Sequence, residues 1–399
     1  MRIRFINFLK THPFFVNLAW GMARAFLRLW GLFVPIRPNT MLFASFGGRR
    51  FDDSPRAIYD EVCRRPEFAD WTLIWAFVEP EKFDLPRGEK IRIDTAAFFH
   101  ALLYSRVWVS NSGMDRGIGL KRKGTVRVET WHGSSMKKGG GDENQNAIGG
   151  KKSAEHKGPL DNDTIRCAQS ELDQSIYQRV FHATKESIML CGAPRNDSLF
   201  RYTEADIAAI RRRLRIPEGK QVILYVPTYR EYLLDEHGEM YLAPPMDLAK
   251  WERLLGERYV LLMRAHYAVS AALKLRENDF VRDVSSYGSL NDLMIICDIL
   301  ISDYSSTYID YALLDRPMLC FAYDYEEFLE KRGFYWDIEK NLPCTLDRDE
   351  DTLLRNILTM DREKYVEAAR EFHRKFAPYA GHASEAVVDK IEERLRVEA

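Results

Sequence analysis

ILISDYSSTYIDYALLDRPML, residues 299–319, is the most informative stretch of the chain. A short apolar run ends in Ser302, Asp303, Tyr304, Ser305 and Ser306, apolar residues return at helical spacing (Tyr308, Ile309, Ala312, Leu313), and a second apolar run begins at Met318. Strand, serine-capped helix start and strand again make the βα unit of a parallel sheet. The N–H groups of a helix's first turn have no intrahelical partner and carry the positive end of the macrodipole, so such an end attracts anions. Ser302, Asp303, Ser305 and Ser306 are therefore candidate phosphate ligands. A capped βα unit without a ligand would read the same way, and aspartate at a helix start is also an ordinary cap.

Outward from this stretch the alternation continues. Val222–Val226, Tyr259–Met263, Phe280–Asp283, Asp298–Ile301 and Met318–Phe321 read as strands, the first four followed by Thr228 and Arg230, Arg264 and His266, Ser285 and Ser286, and Asp303 to Ser306. In an open parallel sheet these residues collect at the carboxyl edge, where such sheets bind ligands. Upstream, Thr40–Ser45, Trp71–Val78, Val107–Ser110, Val126–Thr130 and Ile188–Leu190 read as strands of an earlier α/β unit. Ser54–Arg64 reads as a helix capped by Ser54 with Pro55 at its first position, Glu204–Arg215 as an amphipathic helix, and Asp361–Val397 as helical.

A second constellation is VETWHGSSMKK, Val128 to Lys138. A β-type run delivers Trp131 and His132 to a turn at Gly133, followed by Ser134, Ser135, Lys137 and Lys138. A histidine at a strand end beside glycine usually faces a cleft, and its ordinary pKa of about 6.5 suits it to proton transfer at neutral pH.

These residues sit among segments that resemble the CDP-glycerol glycerophosphotransferase family, which builds teichoic acids and related capsule polymers. The matching segments are SFGGRRFDDSPRAIYDE (45–61), ETWHGSSMKK (129–138), GAPRND (192–197), ILYVPTYR (223–230), LLMRAHY (261–267), 283–324 and KRGFYWD (331–337). The resemblance implies an α/β fold of two Rossmann-like domains facing a cleft, the GT-B type, without a cofactor beyond the donor substrate. It implies CDP-glycerol on the second domain, its pyrophosphate held by Ser305, Ser306, His266 and Arg264, with Ser302, Asp303, Thr228, Arg230 and Arg332 as further donor-side residues. A lipid-linked polymer acceptor would enter from the first domain, past Ser134, Ser135, Lys137, Lys138, Arg195, Asn196 and Asp197. His132 would take the acceptor's proton, and CMP would leave. Ser134 and Ser135 stand where the family often has threonine and proline, and Gly139–Gly158 is unusually glycine-rich, so acceptor identity is where this chain departs. Asp161 and Asp163 mimic a metal-binding DxD, but no strand precedes them and the scheme needs no metal. Two rivals stay open: a nucleotide-sugar glycosyltransferase or ribitol phosphate transferase on the same fold, and a membrane-bound scaffold without catalysis.

A length of 399 residues favours two domains. The expected division is 1–38 as a membrane-associating segment, 39–203 as the acceptor-side domain with 376–399 packing back on it, and 204–375 as the donor domain. With 58 basic and 59 acidic residues, the chain is not built to coat nucleic acid. Its six cysteines form no CxxC pair or His/Cys metal spacing and read as buried hydrophobes of a reducing compartment.

Met1 to Phe51 contains no acidic residue, while Arg2, Arg4, Lys10, Arg24, Arg28, Arg37, Arg49 and Arg50 lie among aromatic and aliphatic side chains. Charges interrupt every run before the roughly 18 to 20 apolar residues of a spanning helix. The pattern predicts an interfacial helix or helix pair, arginines among anionic headgroups, rather than a cleaved signal peptide. With the family resemblance, this places the chain peripherally on the cytoplasmic face of a bacterial cell membrane.

Overall fold

Two parallel sheets carry the chain in the computed structural model, which describes residues 13–139, 142, 164–228, 230, 232–233, 245–265 and 277–397. The first contains β1 (Arg37–Ala44), β2 (Thr72–Phe77), β3 (Glu89–Arg92), β4 (Ser105–Ser110), β5 (Val126–Glu129), β6 (Thr164–Ala168) and β7 (Ile188–Leu190). The second contains β8 (Gln221–Val226), β9 (Tyr259–Met263), β10 (Val281–Asp283), β11 (Ile299–Ser302), β12 (Met318–Phe321) and β13 (Leu346–Asp347). The first sheet runs β3-β2-β1-β4-β5-β6-β7 and the second β10-β9-β8-β11-β12-β13. Both are therefore doubly wound, with strand order reversing between β1 and β4 and between β8 and β11, the crevices where such sheets hold ligands.

Residues alternate between two buried faces, so the strands read as nearly continuous apolar runs. In the first sheet Leu42, Ile74 and Trp108 join one core with Phe98 and Leu102. On the other face Phe43 stacks on Trp75 at 5.4 Å, Trp75 on Phe77 at 5.5 Å, and Tyr59 of the helix Asp53–Arg64 meets Trp75 edge-on at 5.7 Å. Truncating one such buried aromatic to alanine costs about 3–5 kcal/mol. In the second sheet Val222, Leu224, Leu262 and Leu300 face one core and Ile223, Tyr225, Leu261 and Ile301 the other.

By compactness the chain divides into unit 1 (Met1–His132, Asn162–Cys167, Ser384–Ala399) and unit 2 (Gly133–Asp161, Ala168–Ala383). Residues from Gly133 and from Ala168 to 203, expected with the first domain, thus group with the second. The reason is hydrogen bonding: Gln169, Arg195 and Asn196 all donate to Asp310, and Trp336 donates to the Ser135 carbonyl. The final helix, Ala383–Val397, groups with unit 1, where Asp389 pairs with Arg65 at 2.8 Å.

Local details differ from expectation. The first helix of the α/β core begins at Asp53 with Asp52, not Ser54, at the N-cap position. The stretch 361–397 is two helices, Arg362–Phe376 and Ala383–Val397, separated where Gly381 takes φ +107°. Glu204–Arg213 carries a capping box, Thr203 and Asp206 each holding the other's backbone N–H. Ahead of β1 lies one long helix, Pro13–Phe33, and no helix among the described residues is long and apolar enough to cross a membrane. It docks through Leu27, which is buried, through Trp30, stacked on His100 at 5.3 Å, and through Gly31, against Leu103. Trp20, Met22, Phe26, Leu29, Leu32 and Phe33 remain exposed, Phe33 to 78%.

Candidate active site

In unit 1 the loops leaving the carboxyl ends of β1, β4 and β5 meet around His132. The Nδ1 atom of His132 lies 2.9 Å from the Asn111 carbonyl oxygen. A carbonyl only accepts, so Nδ1 carries the proton, and in the neutral ring Nε2 is left with a free lone pair. The ring itself is exposed. Asn111 is held in turn: its Oδ1 accepts from Phe46 N at 2.8 Å, its Nδ2 donates to Ser45 Oγ at 3.4 Å, and neighbouring Ser112 Oγ accepts from Gly47 N at 3.0 Å. Phe46 packs against the imidazole with ring centroids 5.8 Å apart. The chain bends at His132 and Gly133, and Trp131 just ahead has φ +56°, a left-handed conformation that costs a bulky residue about 1–3 kcal/mol and marks a position held by its surroundings. Trp131 stacks on His132 at 4.5 Å.

Gly133 is glycine for another reason. A Cβ there would lie 2.7 Å from Ser306 Oγ, so within unit 2 the Gly133 backbone runs directly against Ser306. From this point residues 133–139 form a rail along 333–336. Lys138 N donates to Gly333 O at 3.2 Å, Tyr335 N to Met136 O at 3.0 Å and Trp336 Nε1 to Ser135 O at 3.2 Å, while Lys137 bridges Phe334. Two motifs 200 residues apart in reading, SSMKK and GFYW, are thus one structural element. Ser134 Oγ accepts from Gln169 Nε2, and Ser135 N donates to Asp173 Oδ1 at 2.8 Å. Burial pushes the Asp173 carboxyl up, against the lowering effect of the Ser135 and Gln169 N–H groups.

The donor-side expectations divide. Ser305 and Ser306 are partly exposed where β11 gives way to the helix Thr307–Tyr311, and Ser305 Oγ contacts Thr307 Oγ1 at 2.8 Å. That helix is shorter than its apolar spacing predicts: it tightens to a 3-10 turn at Ala312–Leu314 and stops at Asp315, φ +51°. Ser302 is fully buried, its hydroxyl donating to Val226 O at 2.5 Å across the switch point. Asp303 and Arg230, expected to face the donor, are both completely buried. Asp303 accepts from Thr228 N at 2.9 Å, Tyr304 N at 2.6 Å and Arg230 Nη1 at 2.9 Å. The guanidinium of Arg230 also makes a bidentate pair with Asp324, 2.8 and 2.9 Å, and lies 5.1 Å from the ring of Tyr304. Burial alone would lower the Arg230 pKa, but Asp303 and Asp324 hold it above its ordinary value. These two residues brace β8, β11 and the β12 exit, and neither presents an atom to a ligand. Thr228, itself buried, joins them through its backbone. Arg264 is nearly buried and donates to Tyr287 O at 2.7 Å, ordering the turn after β10. Arg332 is half-buried at the end of the helix Tyr325–Lys331. His266, Asp161, Asp163 and most of Gly139–Gly158 lie outside the described residues.

GAPRND is likewise structural. Arg195 Nη2 and Asn196 Nδ2 converge on Asp310 at 3.0 and 2.6 Å, and Asp197 Oδ1 accepts from Ala383 N at 3.0 Å. Arg195, Asn196 and Asp197, expected on the acceptor side, instead pin the segment after β7 to the helix that follows Ser306. Gly192 precedes them at φ +85° with no room for a Cβ, which would meet Tyr379 O at 2.8 Å. Among the described residues no cluster of three or more His, Cys, Asp or Glu side chains is placed to hold a metal ion.

A family model described as CDP-Glycerol:Poly(glycerophosphate) glycerophosphotransferase matches residues 26–393. The chain belongs to this family. It is 31% identical to a teichoic acid poly(glycerol phosphate) polymerase of Staphylococcus epidermidis, over 90% of this chain but 51% of that protein, so it spans about half the length of that relative. It is 30% identical to the teichoic acid glycerol-phosphate transferase of Staphylococcus aureus, over 88% of this chain and 92% of that protein. The structure of the wall teichoic acid polymerase TagF superposes with a TM-score of 0.83 at 27% identity, covering 100% of this chain and 99% of that one. The glycerophosphotransferase family accounts for the two parallel α/β sheets and for an enzyme of CDP-glycerol transfer in teichoic acid biosynthesis. The match begins inside the helix Pro13–Phe33, so most of the exposed apolar face lies within the family's region.

Proposed function

We propose that this chain transfers glycerol phosphate from CDP-glycerol to a hydroxyl of a membrane-linked glycerol phosphate acceptor, with His132 as general base and CMP as the leaving product. The observation that carries this reading is the Nδ1–H bond to the Asn111 carbonyl, which leaves Nε2 of an exposed ring as a proton acceptor at the carboxyl edge of a doubly wound sheet. The acceptor oxygen attacks the glycerol-bearing phosphorus and its proton passes to Nε2. The bond from that phosphorus to the oxygen of the departing CMP breaks, and the leaving oxygen keeps the electron pair. Phosphoryl transfer relies mainly on positioning and charge stabilisation. The Ser305 and Ser306 hydroxyls hold the donor phosphates, with His266 as a further cationic or hydrogen-bonding partner; the N–H groups of Thr307, Tyr308 and Ile309 are taken up by the Ser305 hydroxyl and the Ser305 and Ser306 carbonyls. Arg264 acts one step away by fixing the turn at Tyr287. The two sheets form a GT-B type transferase in this reading, and Ser134, Ser135, Lys137 and Lys138 stand on the acceptor's route. The exposed apolar face of Pro13–Phe33 lies in the membrane interface, its arginines among anionic headgroups.

The test is CMP release from CDP-glycerol, CDP-ribitol and a panel of nucleotide sugars, with and without a lipid-linked glycerol phosphate acceptor. Acceptor-dependent release from CDP-glycerol with a longer product supports the reading, and turnover confined to another donor overturns its chemistry while keeping the fold.

A further inference from the structure

In unit 1 the loop 45–51, SFGGRRF, leaves β1 where the strand order of the first sheet reverses. Its backbone is fixed along its length. Phe46 N and Gly47 N donate to the side chains of Asn111 and Ser112, Gly48 O accepts from Val78 N at 2.7 Å, Arg50 bridges back to Ser45, and Phe51 meets Trp75 edge-on at 4.8 Å. Phe46 is held at φ +47°, a left-handed angle that a bulky residue adopts only under such constraint. The charge this loop carries is not tied down in the same way. Arg50 is half-buried, and among the described residues its guanidinium has no carboxylate partner and no hydrogen bond; it lies over the face of Phe46, Cζ to centroid 6.0 Å. The nearby acids are not its partners: Asp53 Oδ1 accepts from Ser54 N at 2.7 Å at the start of the next helix, and Asp94 is taken by Arg116 at 2.8 and 2.9 Å. Exposed Arg49 turns back to Phe46 O at 3.1 Å. Phe46 also packs against His132, so one aromatic ring carries a free cation and the base. An unpaired arginine on an open surface is ordinary. A half-buried one on a fixed loop, sharing a ring with the base, is placed for an anionic ligand.

We propose that Arg50 binds the phosphate of the acceptor's terminal glycerol phosphate unit while the hydroxyl of that unit lies at His132 Nε2. The inference rests on the proposed function and names the residue that reads the acceptor's charge. Only the short glycerol carbon chain separates the attacking hydroxyl from the phosphate of its own unit. An acceptor seated at the base therefore brings a negative charge close to it, and unit 1 must supply a cation there. Arg116 is already paired and Arg49 is turned to a carbonyl, which leaves Arg50. Its planar fork matches phosphate oxygens bidentately, and the fixed backbone beneath it keeps the ordering cost of binding low. Arg50 thereby favours a glycerol phosphate acceptor over an uncharged polyol.

The experiment measures CMP release by the full chain in wild type, Arg50→Gln and Arg50→Lys, with kcat and KM taken separately for a soluble glycerol phosphate acceptor and for CDP-glycerol. Sedimentation with vesicles containing anionic phospholipid is followed in parallel. Arg50→Gln should raise the acceptor KM about tenfold, the loss of a hydrogen-bonded charge pair, with KM for CDP-glycerol and vesicle binding each changed less than about twofold. An acceptor KM unchanged in Arg50→Gln, in protein whose wild type is active, overturns the assignment. A rise of equal size in KM for CDP-glycerol also overturns it, since Arg50 then serves the donor. Loss of vesicle binding with an unchanged acceptor KM overturns it in favour of lipid headgroups. Should Arg50→Gln fail to fold, Arg50→Lys decides: a cation without the planar fork should raise the acceptor KM about threefold and leave KM for CDP-glycerol alone, and an unchanged acceptor KM there overturns the assignment too. A wild type silent with CDP-glycerol and the acceptor would instead defeat the proposed function.

Discussion

Replacing Arg230 by methionine separates a bracing role from a donor-binding one. Methionine keeps much of the volume of the side chain but leaves Asp303, fully buried, and Asp324, 12% exposed, without their cation. Four hydrogen bonds to carboxylate and carbonyl oxygens disappear with the guanidinium, those from Nε and Nη2 to Asp324 and from Nη1 to Asp303 and Thr228 O. Removing one partner of a buried ion pair costs about 3–5 kcal/mol, because the remaining charge is desolvated and unpaired. For a unit of this size each kcal/mol moves the midpoint by about 2–4 °C, so the Arg230→Met transition should fall by about 6–20 °C. Differential scanning calorimetry of the intact chain would show it, and adding Asp303→Asn should recover part of the loss. A transition within about 2 °C of wild type, combined with a raised KM for CDP-glycerol, would refute the bracing role and return Arg230 to the donor site.

Four other outcomes follow from the geometry. Asn111→Ala removes the side chain that holds the Ser45–Gly48 loop while keeping the carbonyl that faces Nδ1, and it should lower kcat with little change in KM for CDP-glycerol, read by steady-state CMP release. Gly192→Ala forces a left-handed alanine against Tyr379 O and should destabilise unit 2 by about 1–3 kcal/mol, visible as a lower urea midpoint. Glu61 is held below the ordinary carboxylate range: burial raises its pKa, but Arg65 and Arg64 outweigh it. Its pairing is therefore complete above about pH 4.3 and lost as pH falls through the lower folded value; the Tm gap between wild type and Glu61→Gln should be present at neutral pH and close on acidification. Deleting the whole helix Pro13–Phe33 would strip Leu27 and Trp30 from the core, so the membrane role is tested with Phe26→Ser, Leu29→Ser, Leu32→Ser and Phe33→Ser together; vesicle sedimentation should drop while the transition temperature holds.

Apolar runs, buried on both faces in β1, β2, β4, β8, β9, β11 and β12 and shorter or alternating in β5, β7 and β10, made these strands legible. Those that were not lack that signature. β3 is EKIR, largely exposed, and β13 is two residues long. β6 buries all five residues of TIRCA, but two of them are polar and interrupt the run. Site residues divided for a similar reason: the sequence places Asp303, Arg230 and Arg195 at strand ends and turns, yet cannot say whether their charges face solvent or one another. Asp310 and Asp324, which neutralise the arginines, lie inside motifs as ordinary helix-face and loop acids. Asn111 follows β4 directly, and only folding brings its carbonyl to His132 across 21 positions. The local pattern puts Gly133 in a turn; its close approach to Ser306 is a tertiary contact that no local pattern encodes.

The most direct test of the account is CMP formation by purified wild-type and His132→Ala protein from CDP-glycerol with a lipid-linked glycerol phosphate acceptor, each protein checked for an unchanged thermal transition. The account predicts acceptor-dependent CMP in wild type and a loss of about 10²–10⁴-fold in kcat for His132→Ala, the range for removal of a positioned general base. A folded His132→Ala protein that releases CMP at the wild-type rate would contradict it.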